Sequence, residues 1–501
     1  MITCIRRADW VVAWDGGRHV YRRHVDLAFG DGTGDRAGDA DRIVHLGPDY
    51  TGPADREIDG TDRLLLPGLV NVHSHPSSEP INKGYREEFG NPLLYWSPLY
   101  DRAGLLRTGD DEARLAATEL ALGEMLTSGV TSVCDLAAPW SGWLDTLAGS
   151  GMRAWAVPGF ASARWVPRTS ADAASVGIVH AHDVDYEWDE AGGHRALAAA
   201  VDAAEEADRH PSGRLAGMLS PAQVDTCSAE LIRAAVDTAD AHGWRIQIHA
   251  AQSLFEFQEM TRRNGCTPIQ WLDRIGALRP TTTIAHGIFL DRHSWTRWPT
   301  DLDLDLLAST GTGLAHCPVV FSRHGQAAED IGGYLRSGIT VGVGTDSFPH
   351  NLLEELRMAA TLGWSTTGDV RSITTAELFT AATVGGAALV GRNDLGRLAV
   401  GAAADVVSVD LTTPAMQPVR DPLRSLIYTA ADRAVADVFV AGRPVVVDGR
   451  VITIDVDDAG RRLDEARRRA EATASDRHHL GRPAVDLSPL TLPVGDGPSS
   501  T

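Results

Sequence analysis

The chain has 501 residues, 43% hydrophobic and 23% charged, more than one small core requires and within the globular range. Lys+Arg 46 against Asp+Glu 67 gives a formal charge of −21, an acidic excess that repels phosphate backbones and anionic lipid and argues against nucleic-acid and membrane-surface partners. No run approaches the roughly 18 apolar residues of a membrane span, and the opening MITCIRRADWVVAWDGG has no apolar core of a signal peptide. The 5 cysteines are widely spaced without a CxxC, so they suggest neither a disulfide frame nor a thiolate zinc site. The expectation is a cytoplasmic protein with reduced, mostly buried thiols.

Residues 1–65 carry short apolar runs (ADWVVAW, HVDLAFG, DRIVHLG) between Gly and Asp turns, the texture of a small β-sheet. From 66 to 395 eight apolar runs alternate with amphipathic stretches: LLPGLVNV (which begins at Leu65), VTSVCDL, MRAWAVPGF, LAGMLSP, RIQIHA, TTTIAHGI, GTGLAHCPVV and ITVGVGTD. Repeated βα units of that number predict an α/β fold, a (β/α)8 TIM barrel. An open doubly wound sheet is disfavoured because no GxGxxG follows the first strand. Residues 396–456 return to β-like texture and are expected to join 1–65 in one composite β-sandwich. Residues 457–501 read as an Arg/Glu/Ala helix followed by a mobile Pro/Gly/Ser-rich tail; the basic helix is taken as a solvated face.

His73 and His75 in VNVHSHP stand two apart, so on a strand both imidazoles reach one side. They close the first barrel strand, and barrel active sites lie at that C-terminal rim. A second HxH, His180 and His182, is read as a coincidence of a loop or a pocket rim. His249 in IQIHA, His286 in TIAHG and Asp346 in GTDS close later runs, where packing alone would favour Val, Ile or Leu. Five such residues converging on one rim point to a metal site.

With these motifs the sequence resembles the amidohydrolase superfamily, and more narrowly its branch of cytosine, guanine and triazine deaminases and chlorohydrolases. The resemblance implies that His73, His75, His249 and Asp346 surround one divalent metal, zinc before iron, with His286 hydrogen-bonding substrate or bound water. Binuclear members bridge two metals through a lysine on strand 4. Here strand 4, LAGMLSPAQ, has none, and the chain's one lysine, Lys83, follows strand 1. A single metal lowers the pKa of a bound water toward ~7. Asp346 would take its proton, and His286 would stabilise the charge that develops as ammonia, an amine or chloride leaves an sp2 carbon. The expected function is therefore a metal-dependent hydrolase of carbon–nitrogen (or carbon–chlorine) bonds in a small nitrogen heterocycle, a deaminase, acting as a homodimer.

One departure opens an alternative. Gln252 in HAAQ stands where deaminases of this branch usually carry a proton-shuttling glutamate, and an amide cannot deliver a proton. Ring-opening of a cyclic amide or imine needs no such shuttle. Ala222 follows Pro221 where adenine-type enzymes often have histidine. Further candidates to contact substrate are His316, Arg323 and its neighbour His324, and the aromatic residues Trp96, Tyr100 and Tyr95 by stacking, with Glu79 and Glu87 for exocyclic amines. A non-catalytic relative is disfavoured because the ligand set is complete.

Overall fold

The computed structural model describes residues 1–32, 41–85, 109–167, 184–478 and 481–494. Each of the eight apolar runs contributes a strand to one parallel sheet. Barrel strand 1 is Leu69–Ser74, strand 2 Val130–Ala137, strand 3 Arg153–Phe160, and strand 4 Leu215–Gly217 continued by Ser220–Pro221. Strand 5 is Ile246–Ala250, strand 6 Thr282–His286, strand 7 Gly313–His316 and strand 8 Val341–Val343. Strand 8 returns to strand 1 through Val343↔Asn71, and the bridges Leu219↔Ile246 and Gln223↔His249 join strands 4 and 5. The fold is thus a closed (β/α)8 barrel.

Strand residues are buried on both faces, which is why the runs read as continuously apolar. Val133, Ile248, Ile284 and Leu314 face the helix layer with Leu122 and Leu356. The alternate positions Val72, Leu136, Val157, Ala285 and Ala315 fill the barrel. The helices start where side-chain caps allow. Asp110 accepts from the Ala113 amide at the head of Asp111–Thr127, and Ser228 from Leu231 at the head of Ala229–His242.

Both chain ends build the second unit. Trp10–Trp14, His19–Arg22 and Arg63–Pro67 share a sheet with Val406–Asp410, Val435–Val440, Arg443–Val447 and Arg450–Val451. A four-stranded sheet of Ile2–Ala8, Val25–Gly30, Ile43–Gly47 and Arg56–Asp59 packs on it through Ile5, Leu27, Phe29, Leu65, Val406 and Phe439. The run LLPGLVNV, read as one barrel strand, is divided: Leu65 and Leu66 pair with Ser408 and Val407 in the sandwich, and the barrel begins at Leu69. Gly68 makes the crossing, because a Cβ there would lie 2.0 Å from Thr131 Oγ1. A buried pair ties the two units together: Arg153 donates from Nε to Asp405 Oδ2 at 3.0 Å and from Nη2 to Oδ1 at 3.1 Å.

The C-terminal helix Val456–Ala472 is amphipathic, burying Leu463 and Ala466 against Ala113, Ala116 and Ala117 while Arg462 pairs with Glu119. Within the Pro/Gly/Ser-rich stretch Ala484–Leu487 forms a short helical turn and buries Leu487 beside Ala474 and Tyr85. Among the described residues no helix is long and apolar enough to cross a membrane.

Candidate metal centre

His73, His75, His249, His286 and Asp346 meet at the C-terminal rim of the barrel. In each of two overlapping groups, His73–His249–His286 and His73–His75–Asp346, the ligand atoms lie within 4.8 Å of one another. Asp346 Oδ1 is 3.2 Å from Nε2 of both His73 and His75, and Oδ2 is 3.9 Å from His286 Nε2. The backbone fixes this approach. The Asp346 amide donates to the His73 carbonyl at 2.8 Å, the His75 amide donates to the Asp346 carbonyl at 2.9 Å, and Asp346 itself sits at φ 57. Gly344 lets strand 8 come close, since a Cβ there would lie 2.7 Å from His73 Cβ.

The hydrogen bonds behind the rings determine their tautomers. His75 Nδ1 lies 2.8 Å from the Leu136 carbonyl and His249 Nδ1 2.5 Å from the Ala222 carbonyl. A carbonyl only accepts, so each Nδ1 carries hydrogen. His73 Nδ1 meets Gln247 Oε1, whose Nε2 donates to the Val72 carbonyl at 2.8 Å. In the neutral rings Nε2 is therefore a bare lone pair. For His73 and His75 that lone pair faces a carboxylate oxygen at 3.2 Å. Lone pair against carboxylate in a buried pocket repels unless a cation lies between them.

The orphaned atoms agree: His73 Nε2, both His286 nitrogens and Asp346 Oδ2 are buried without a hydrogen-bond partner. Burial pushes His249 down to about 3. Burial likewise drives His286 well below the usual imidazole range, and the Phe321 ring lies 4.5 Å from it between centroids. Against burial, the His73 and His75 rings hold Asp346 well below the usual carboxylate range. A divalent metal requires an ionised carboxylate and neutral imidazoles, the states toward which Asp346, His249 and His286 are shifted; against burial, the Asp346 carboxylate raises His75, whose proton a metal in that place would displace.

Gln252 lies buried in the turn after strand 5, and its Oε1 has no partner. Glu256, which the sequence reading missed, shapes that turn by accepting from the amides of Ala251 at 2.7 Å and Gln252 at 2.9 Å. Glu79 is buried and accepts from Ser347 Oγ at 3.0 Å, one residue from Asp346.

Two expected substrate contacts are placed otherwise. Arg323 donates to the Phe348 carbonyl at 2.5 Å and to Ser347 Oγ at 3.2 Å, with its guanidinium 4.0 Å from the Phe348 ring centroid, so it braces the loop after Asp346. His316 shares strand parity with Leu314 and lines a cavity in the helix layer with Ile288, Phe321, Ile331 and Ala359. Trp96, Tyr95, Tyr100 and Glu87, and the pair His180 and His182, fall outside the described residues. Lys83 pairs with Glu124, and strand 4 carries no lysine.

A parallel barrel with four imidazoles and one carboxylate gathered at its C-terminal rim defines a metal-dependent hydrolase of the TIM-barrel type. The chain belongs to the amidohydrolase family, whose profile matches residues 64–445. It is 30% identical over 423 residues to a 5-methylthioadenosine/S-adenosylhomocysteine deaminase of Haloarcula marismortui, covering 83% of this chain and 87% of that one. It is 26% identical over 411 residues to a 5'-deoxyadenosine deaminase of Methanosphaera stadtmanae, covering 81% and 88%. Among solved structures, an adenosine deaminase from Xanthomonas campestris with bound zinc superposes with TM-score 0.76 at 22% identity, covering 94% of this chain and 98% of that one. The zinc complex of atrazine chlorohydrolase from Arthrobacter aurescens TC1 gives 0.75 at 23%, covering 93% and 100%. At those identities the superpositions speak for the fold. The protein is a hydrolase of carbon–nitrogen bonds other than peptide bonds, in the deaminase branch of its family, with a divalent metal site.

Proposed function

We propose that the protein is a zinc-dependent aminohydrolase that releases ammonia from the amine of a purine-type heterocycle, with His73, His75, His249 and Asp346 holding the metal. The observation that carries this reading is the set of bare imidazole nitrogens facing Asp346 at 3.2 Å. Three nitrogens and a carboxylate favour zinc over iron, and the curated relatives act on adenosine derivatives by name. The free cysteines Cys4, Cys134, Cys227, Cys266 and Cys317, all buried, suit a reducing cytoplasm. The homodimer is proposed from the family resemblance alone.

A bound metal supplies a water whose pKa lies near ~7. Asp346 Oδ2, the oxygen without a partner, receives the proton. His286, neutral through burial, donates toward the charge that develops on the ring. Gln252 orients the substrate edge by hydrogen bonding and passes no proton, so Asp346 also returns the proton to the leaving amine. That same glutamine favours a second reading, hydrolytic opening of a cyclic amide.

The test is a panel of adenosine, 5-methylthioadenosine, aminopyrimidines and lactams with zinc-loaded protein, read by ammonia release and mass. Ammonia from an adenosine-type amine supports the first reading. Water addition to a lactam without ammonia moves the assignment to the second, and turnover of none overturns both.

A further inference from the structure

The metal-facing side of each imidazole is chosen by what lies behind it, and for His73 that partner is a side chain. His75 and His249 lean on main-chain carbonyls, those of Leu136 and Ala222, which no substitution removes. His73 leans on Gln247, a strand 5 residue that is 2% exposed and two positions before His249. Strand alternation sends Gln247 and His249 to the same side, into the barrel, while Ile246 and Ile248 face the helices.

We propose that Gln247 is a positioning residue that locks His73 in the tautomer able to bind metal. The direction of its amide is determined: Nε2 donates at 2.8 Å to the Val72 carbonyl, which only accepts. Oε1 is thereby turned to His73 and takes the hydrogen of Nδ1. With hydrogen on Nδ1, Nε2 keeps its lone pair toward Asp346. Without an acceptor behind it, the neutral ring gains by moving its hydrogen to Nε2 and donating to Asp346 Oδ1, and that tautomer closes the ligand position. The metal site is thus tuned across the barrel, from strand 5 through Gln247 to strand 1, and Val72, next to His73, aims the amide.

The inference rests on the metal reading, and the experiment separates their failures. Wild type, Gln247→Leu and Gln247→Glu are stripped and titrated with zinc against a chelator of known affinity. The rise in melting temperature on adding zinc is measured in parallel. Wild type that takes up no zinc overturns the metal reading. Given binding by wild type, Gln247→Leu is expected to bind about 10–100-fold more weakly, the usual cost of losing such a partner. Gln247→Glu, which keeps an acceptor behind Nδ1, is expected within a few-fold of wild type or tighter. A merely structural role for Gln247 would lower the melting temperature with and without zinc alike; the positioning role shrinks the gap between them.

Wild-type zinc affinity in Gln247→Leu, or equal weakening in both variants, overturns the proposal. Should Gln247→Leu not fold, nitrogen NMR of metal-free wild type labelled at histidine still decides. At a pH where the ring is neutral, hydrogen on Nδ1 of His73 is expected, and hydrogen on Nε2 refutes the lock.

Discussion

Asp346→Asn removes a charge while keeping the shape of the side chain. In the wild type Oδ1 stands 3.2 Å from two imidazole nitrogens, and Oδ2, without a hydrogen-bond partner, is the oxygen proposed to accept the proton. An amide retains one ligating oxygen and loses all capacity as a base. Loss of a positioned general base costs about 10²–10⁴ in rate, or roughly 3–5 kcal/mol of transition-state stabilisation. The upper end is expected here, because Asp346 is the only carboxylate in the two ligand groups and Gln252 cannot take over. His73, His75 and His249 remain as ligands, so metal content should stay largely intact. The assay is steady-state ammonia release, with elemental analysis of the same sample. Full activity with zinc in place would refute the base assignment. Loss of activity only in proportion to zinc lost would reduce Asp346 to a ligand.

Gln252→Glu should raise deamination of heterocyclic amines, and unchanged rates across the substrate panel would remove this position from proton handling. Asp405→Asn leaves Arg153 buried without its counter-charge and should destabilise the fold by about 3 kcal/mol, the lower end for a broken buried pair; Asp41, 3.6 Å from Arg153, offers partial relief. Arg153→Met with Asp405→Leu should recover part of that loss in chemical denaturation, and additive losses would refute the coupling. Against burial, His350 and Lys83 bring Glu124 from 4.5 down to about 2. A depressed folded-state pKa contributes stability above pH 4.5 that disappears as pH falls to about 2. The stability gap between wild type and Glu124→Gln should therefore close over that window, and a gap independent of pH would contradict the pairing.

Much of the centre is readable because the candidate ligands interrupt a packing pattern. His249, His286 and Asp346 end apolar runs whose other members fill the barrel or its helix layer. Gln247 gives the same signal inside IQIHA. Its parity with His249, together with its polarity, is what distinguishes it from the neighbouring isoleucines. Glu256 was hidden by a different grammar. Ser253 and Glu256 have the spacing of a helix start, and Ser253 does cap Glu256, yet the carboxylate reaches back to the amides of Ala251 and Gln252. His316 and Arg323 show that closeness to a strand end says nothing of direction. Parity turns His316 outward with Leu314, and neighbouring carbonyl and hydroxyl groups occupy Arg323.

The strand that carries His73 into the barrel is preceded at once by Arg63–Pro67, whose hydrogen-bonding partner is Val406–Asp410. A ribosome therefore completes every barrel strand before the segment that anchors the start of the first has emerged. Such a distant pairing is slow to form and comes late in folding. The approach of the first barrel strand, and with it the placing of His73, thus hangs on a pairing between segments more than 330 residues apart in the chain.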